Sequence, residues 1–224
     1  MTFSIVARCA STGMFGVAVS SSSPAVAARC AHARAGVGAV ASQNVTDPRL
    51  GRRALDLMAL GASAAEAVAV LRQTGGPMEY RQVLAVDAGG LSAIHSGPKA
   101  LGTWAEARAE NVACGGNLLA DAGVPQAMVD AFGAATGHLG DRLIAAMRAA
   151  LAAGGEAGPV HSAGLMLVRE VAWPVADLRV DWTESCPIAA LAALWDLYKP
   201  QLDAYVTRAL DPAAAPSYGV PGDL

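Results

Sequence analysis

Thr2 is the residue whose type and position could carry catalysis in this sequence. If Met1 is removed, which the small side chain of Thr2 permits, the chain begins with a nucleophile and a base in one residue. The hydroxyl can attack an acyl carbon while the α-amine accepts its proton. A free α-amine has a pKa of about 7.7–8.0, which suits a general base near neutral pH. Many chains begin Met-Thr, but here a strand pattern starts at once at Phe3, which would hold Thr2 in a sheet.

Two other motifs resemble catalytic or cofactor patterns but lack the context that these patterns need. Residues 36–41 match the loose G-x-G-x-x-A dinucleotide pattern, but strand and turn residues follow where a helix must begin. Residues 160–164 resemble the nucleophile elbow G-x-S-x-G, but the first glycine is missing and a strand follows. On a strand, His161 and Ser162 would point to opposite faces. We therefore expect neither a dinucleotide site nor a serine elbow.

The cysteines and histidines do not form a metal-binding pattern. Cys9, Cys30, Cys114 and Cys186 lie far apart, without a C-x-x-C pair, and the four histidines do not supply the missing spacing. We expect the cysteines to be reduced and mostly buried. The sequence therefore predicts no metal and no cofactor.

Composition limits the classes of partner. The chain has 224 residues, 16 scattered Lys and Arg, and a formal net charge of −3, which argues against nucleic acid as a partner. No stretch approaches about 18 uninterrupted apolar residues, and the N-terminus has no basic leader. We expect a cytoplasmic protein that does not bind membranes. Its length fits one domain over residues 1–210 and a Pro/Ala/Gly-rich tail over 211–224.

The elements that must position Thr2 are short strands followed by pairs of helices. The patterns predict strands over 3–8, 15–20, 37–43, 80–86, 91–95, 112–114, 162–169 and 175–181. They predict helices over 48–58, 63–73, 125–136, 141–153 and 187–210. Because the strands meet through hairpins, the fold class is α+β, with mainly antiparallel sheets covered by helices. The period of two in the first strand places Thr2, Ser4, Val6 and Arg8 on one face.

The last predicted helix also bears on self-association. Leu191, Leu194, Trp195 and Tyr198 recur at helical spacing, and they could pack against a second copy of the chain or belong to the core. We expect a homodimer or a higher homo-oligomer.

Several blocks of the sequence resemble one bacterial family, the domain-of-unknown-function 1028 family of Ntn-hydrolase-like proteins. The similar residues, in order, are 2–8, 12–13, 16–19, 33–41 with Gln43, 48–49 with Gly51, 81–83, 86–87, His95 with Gly97, 116–120 and 177–181. The resemblance covers residues 2–198. It implies the four-layer αββα sandwich of N-terminal-nucleophile hydrolases and hydrolysis of an amide C–N bond in a small molecule.

The resemblance also implies roles for individual residues. Thr2 would be the nucleophile, and Asn117, in a glycine-flanked block, would stabilise the oxyanion as a second catalytic residue. The implied substrate-binding residues are Ser4, Ser21, Gln43, Arg81 and His95. Each of these side chains could equally serve a turn, an ion pair or a strand end. The implied partner is a small-molecule amide substrate.

The sequence departs from the family pattern at three places. Ser22 stands where the family often carries a basic residue, which removes a cation that could tune the nucleophile. Residues 160–163 replace a basic Gln-Ser-Ala block, and Cys9 replaces an acidic turn residue. These departures leave an alternative open, in which a non-catalytic sandwich binds a small metabolite or a protein partner. An extracellular structural or adhesive subunit is disfavoured because no export signal is evident.

Overall fold

The computed structural model describes residues 2–220. Met1, whose removal the proposed chemistry requires, lies outside the described residues, as do positions 221–224 of the predicted tail. The described strands are β1 Thr2–Arg8, β2 Phe15–Ser21, β3 Ala31–Arg34, β4 Gly38–Gln43, β5 Gln82–Asp87, β6 Ser92–Ser96, β7 Ala105–Ala109, β8 Val112–Asn117, β9 Ser162–Val168 and β10 Ala176–Val180. The described α-helices are α1 Ala27–Cys30, α2 Pro48–Ala59, α3 Ala64–Thr74, α4 Val124–Ala134, α5 Leu139–Ala152, α6 Pro187–Tyr198 and α7 Leu202–Leu210.

The described strands form two antiparallel sheets. The first has six strands in the order β10-β9-β2-β1-β8-β7, and the second has four in the order β3-β4-β5-β6. Every pair of neighbouring strands is antiparallel. The predicted α+β class with antiparallel sheets is confirmed.

Three hydrophobic clusters hold the sheets and helices together. One joins the six-stranded sheet to α4, α5, α6 and α7, with Phe3 and Trp195 among its members. A second lies between the two sheets and includes Val6 and Leu84. The third joins the four-stranded sheet to α2 and α3, with Leu71 at its centre. The side chains of each sheet alternate between a helix-covered face and a face that meets the other sheet.

Three elements differ from the predictions for physical reasons. The alanine-rich residues 27–34 give no clear period, and they form the short α1 and β3. Strand β7 lies in a segment for which the sequence predicts no element. Its charged residues alternate with alanine, and it is an exposed edge strand. The predicted helix over 187–210 is wrong as a single helix. It breaks into α6 and α7 at a 3-10 turn over Lys199–Gln201, where Pro200 lacks an amide hydrogen.

The apolar residues at helical spacing in α6 contribute more to the hydrophobic core than to an exposed face. Leu191 and Trp195 are buried in the cluster with α5, whereas Leu194 is partly exposed. The Trp195 indole donates a hydrogen bond of 2.7 Å to the Asp141 carboxylate of α5. Self-association therefore stays a prediction.

The predicted start of α3 is confirmed in detail. Ser63 Oγ accepts a hydrogen bond from the Glu66 amide at 3.3 Å, and the Glu66 carboxylate accepts one from the Ser63 amide at 2.8 Å. This capping box satisfies two amides that the first helical turn would otherwise leave without partners.

Replacing the cap of α3 should therefore lower stability. We expect Ser63→Ala to reduce the free energy of unfolding by about 1 kcal/mol, because a first-turn amide loses its acceptor. Chemical denaturation measures the change. Ser63→Thr keeps the hydroxyl acceptor and is the matched control; equal losses in both variants would contradict the capping role.

Candidate active site

Thr2 begins an interior strand of the six-stranded sheet and is almost fully buried, with a relative exposure of 6%. Its register partner across the β1–β8 pair is Asn117. On the other side, Thr2 Oγ1 lies 3.4 Å from Ser21 Oγ at the end of β2. The structure therefore brings Thr2, Asn117 and Ser21, three of the predicted site residues, to one end of the sheet.

The predicted alternation along β1 determines which way these side chains face. Val6 belongs to the cluster between the sheets, whereas Phe3 and Ile5 belong to the cluster under the helices. Thr2 and Ser4 share the face of Val6 and are directed toward the second sheet.

Ser4 starts a buried hydrogen-bond network that crosses from one sheet to the other. Its hydroxyl donates to Gln43 Oε1 at 2.6 Å. Gln43 Nε2 in turn donates to Gln82 Oε1 at 2.7 Å and to the Gly115 carbonyl at 3.2 Å. Ser4 and Gln43, both predicted as substrate-binding residues, are thus joined to each other directly. Such a network fixes the orientation of every amide in it, because each donor meets an acceptor.

Gln82 anchors Asn117 within the same network. Gln82 Nε2 donates to Ser96 Oγ at 2.9 Å and to the Gly116 carbonyl at 3.2 Å, which leaves its Oε1 as an acceptor. Asn117 Nδ2 donates to that Oε1 at 3.4 Å. Asn117 is 1% exposed, and its Oδ1 finds no hydrogen-bond partner among the described residues. A buried acceptor thus lies across from Thr2, where an N–H donor could satisfy it.

Serines surround the Ser21 side of the site. Ser21 Oγ lies 2.8 Å from Ser23 Oγ, and the Ser162 hydroxyl donates to the Ser23 carbonyl at 2.6 Å. His161 faces elsewhere, as the alternation predicts, and its ring stacks on Trp182 at 4.4 Å between centroids. Ser162 therefore holds the segment after β2.

Glu156 is a buried carboxylate next to this segment. Both of its oxygens lie 3.2 Å from the Ser22 amide nitrogen, and the residue is 5% exposed. Burial raises the pKa of Glu156 to about 7, although the positive charge at the amino terminus, the Ser22 hydrogen bonds and His161 act to lower it. The carboxyl group therefore changes its charge near neutral pH.

Glu156 also lines a cleft at this end of the molecule. The cleft has a volume of about 330 Å³ and is bounded by residues 151, 154, 156, 158–160 and 184–186. A larger cavity of about 470 Å³ is lined by residues 33–35, 168 and 170–174. That cavity lies toward the opposite end of the sheet, since Val168 pairs with Phe15 whereas Ser162 pairs with Ser21. Of the two, the smaller cleft is the one lined by Glu156, which binds the Ser22 amide.

The structure does not bring Arg81 and His95 together with Thr2. His95 lies on the other face of β6 from Ser96, and its Nε2 is 2.9 Å from the Met78 carbonyl. Arg81 immediately precedes β5, and its Nε and Nη1 are buried without a hydrogen-bond partner among residues 2–220. Its positive charge contributes, after the larger effect of Arg49, to a lowered pKa of Asp47.

Both polar strands end in turns with positive φ at residues other than glycine. Asn44 and Val45 follow β4 with φ of 55° and 46°, and Leu118 follows β8 with φ of 51°. This conformation is unfavourable for a β-branched residue such as Val45. The Asn44 side chain holds the first turn, since its Oδ1 accepts a hydrogen bond from the Leu101 amide at 3.1 Å. These turns fix the strand ends that carry Gln43 and Asn117.

All four cysteines are present as thiols and not as disulfides. Cys9, Cys30 and Cys114 are buried thiols, and Cys186 is exposed. Within residues 2–220, no group of three or more His, Cys, Asp or Glu is arranged to hold a metal ion. None of the helices over these residues combines the length and the apolar character needed to span a membrane.

Two polar residues of the site were not singled out from the sequence. Gln82 stands in an otherwise apolar strand, and a buried amide at the start of such a strand is a signal that could have found it. Glu156 lies in a glycine-rich loop, with no spacing that relates it to Thr2. Glu156 reaches the site only through the folding of its segment, which lies more than 100 residues after Thr2 in the sequence.

Fold and site together define an α+β protein of two antiparallel sheets, with a polar cluster buried between them beside the first strand. The sequence model of the Family of unknown function (DUF1028) matches residues 2–191, and the chain belongs to that family.

A solved structure from the same family has a similar fold. Protein SPO2555 from Silicibacter pomeroyi, also of the DUF1028 family, is 28% identical over 88% of this chain and 89% of its own, with a TM-score of 0.82. Anbu (ancestral beta-subunit) from Yersinia bercovieri is 11% identical over 91% of this chain and 97% of its own. Its TM-score of 0.39 does not show a shared fold. No curated protein matches the sequence significantly.

Proposed function

We propose that the protein is an N-terminal-nucleophile amidohydrolase that cleaves the C–N amide bond of a small molecule. In this proposal the two sheets and the helices on their outer faces form the αββα sandwich of that superfamily. The observation that carries the proposal is the place of Thr2. It begins an interior strand, its hydroxyl meets Ser21, and it lies across from a buried amide whose acceptor has no partner among residues 2–220.

The proposed reaction starts once Met1 has been removed. Thr2 Oγ1 attacks the substrate carbonyl carbon, its proton moves to the α-amine of Thr2, and the carbonyl electron pair moves to oxygen. When the tetrahedral intermediate collapses, the carbonyl re-forms and the C–N bond breaks. The leaving nitrogen takes the proton from the α-ammonium group. Water, deprotonated by the same amine, then attacks the acyl carbon; the bond from that carbon to Thr2 Oγ1 breaks, the carboxylic acid leaves, and Oγ1 takes back the proton from the amine.

Asn117 is the proposed hydrogen-bond partner of both the oxyanion and the protonated α-amine. One hydrogen of its Nδ2 is directed to Gln82, and the second can donate to the oxyanion. Its Oδ1 can accept a hydrogen bond from the α-amine. A preorganised donor to an oxyanion stabilises the transition state by roughly 3–4 kcal/mol in comparable enzymes. The network through Gln43 and Gln82 would hold this amide in place.

The test of the proposal is whether Met1 is removed, so that Thr2 carries the α-amine, and whether Thr2 becomes acylated. We expect the intact mass of the protein purified from its own host to be short by one methionine. After incubation with a panel of small β-lactones and activated amides, we expect a mass increase of one acyl group, localised to the N-terminal peptide.

Retention of Met1 would contradict the proposed mechanism, as would a persistent absence of acylation in chains that begin at Thr2. The alternative of a sandwich that binds a metabolite or a protein partner would then replace it. The cytoplasmic location and the homo-oligomeric state stay predictions that cell fractionation and light scattering can test.

A further inference from the structure

Glu156 is the titratable side chain of this region that the proposed reaction does not use. It binds the Ser22 amide through both carboxylate oxygens, at 3.2 Å each. Ser22 follows Ser21, whose hydroxyl lies 3.4 Å from Thr2 Oγ1. The carboxylate therefore fixes the backbone segment that places Ser21 beside the nucleophile.

The charged groups around Glu156 are few. Its pKa is lowered by the positive charges at the amino terminus and at His161, whereas burial raises it. Glu184 and Cys186 line the same cleft, and Glu184 is largely exposed, with 79% of its side chain accessible. The backbone of Glu156 also bridges to that of Leu119 just after β8, so Glu156 lies beside the ends of the two strands that flank β1.

We propose that Glu156 is a positioning residue for Thr2, which orders the Ser21–Ser22 segment and stabilises the positive charge that the α-amine gains during the reaction. This inference rests on the proposed function. A carboxylate near an amine favours the ammonium form, both at rest and while the amine holds the proton of the nucleophile.

The direction of the pH effect follows from the buried carboxyl group. Since the pKa of Glu156 lies at about 7, the carboxylate form is populated above that pH and lost below it. Removing the negative charge should therefore lower the pKa of the amine.

The experiment compares chains prepared so that they begin at Thr2, with and without Glu156→Gln. Glutamine keeps an oxygen acceptor for the Ser22 amide but carries no charge. The α-amine of Thr2 is titrated by NMR on chains with ¹⁵N-labelled threonine. In parallel, the pH dependence of kcat/KM is measured with an acylating p-nitrophenyl ester. Glu110→Gln, an exposed carboxylate in the turn between β7 and β8 at the opposite end of β1, is the matched control.

We expect Glu156→Gln to lower the α-amine pKa by about one pH unit and to move the acid limb of kcat/KM to lower pH by the same amount. We also expect kcat/KM at its plateau to fall by about 10-fold to 100-fold. Glu156→Asp, which retains the charge, should keep most of the raised amine pKa. Glu110→Gln should leave both measurements unchanged.

An amine pKa that is the same in Glu156→Gln and in the parent chain would overturn the inference. Failure of the proposed function gives a different result. In that case Thr2→Ala would retain hydrolysis of the ester, while the NMR titration would still report whether Glu156 acts on the amine.

Discussion

Thr2→Ala is expected to abolish acylation and to lower kcat/KM for an amide or ester substrate by about 10⁴-fold or more. The variant lacks the oxygen that attacks the carbonyl, and loss of a covalent nucleophile is among the most damaging changes in hydrolases of this kind. The α-amine, Asn117 and the polar network all stay in place, so the loss is confined to the chemical step. Steady-state hydrolysis and intact-mass labelling measure it.

The fold should tolerate this replacement. Thr2 Oγ1 lies 3.4 Å from Ser21 Oγ, and losing a hydrogen bond of this kind costs about 1 kcal/mol. Thr2→Ser is the matched control, because it keeps a hydroxyl at the same position and should retain measurable turnover. Full activity in Thr2→Ala, with an unchanged unfolding transition, would exclude Thr2 as the nucleophile.

Much of the fold could be predicted from local sequence patterns. The apolar runs that became β1 and β2, the Asp47-Pro48 start of α2 and the capping box of α3 are signals within a few residues. The elements that were not predicted have no such signal. The alternation of alanine with charged residues in β7 is compatible with an exposed loop, and only pairing with β8 makes it a strand.

The site was predictable only in part, because its contacts are not local. The alternation along β1 correctly placed Thr2 and Ser4 on one face, and that face points to the second sheet. Which residues meet it there depends on how two sheets pack, and periodicity carries no information about that. Gln82 and Glu156 reach the site through such packing, from segments about 80 and 150 residues away in sequence.

The same non-local packing makes Gln82 a key residue for stability. We expect Gln82→Leu to lower the free energy of unfolding by about 3 to 5 kcal/mol. Each buried polar group left without a partner costs about 1–3 kcal/mol, and this variant removes the partner of the Gly116 carbonyl and of Asn117 Nδ2. Urea denaturation of the two proteins gives the difference. Gln126→Leu, the same change on the exposed surface of α4, should shift stability by less than about 0.5 kcal/mol.

A double-mutant cycle separates the contribution of the Gln43–Gln82 hydrogen bond to stability from the effect of changing the size of each side chain. Gln43 Nε2 donates to Gln82 Oε1 at 2.7 Å, so either single leucine variant removes one buried hydrogen bond from the amide that remains. With both replaced, that penalty disappears, and the double variant should lose less stability than the sum of the two single variants by about 1–3 kcal/mol. Additive losses would mean that the two amides act independently. The Gln82 amide that binds Asn117 would then be independent of Gln43, and the proposed orientation of Asn117 toward Thr2 would depend on Gln82 alone.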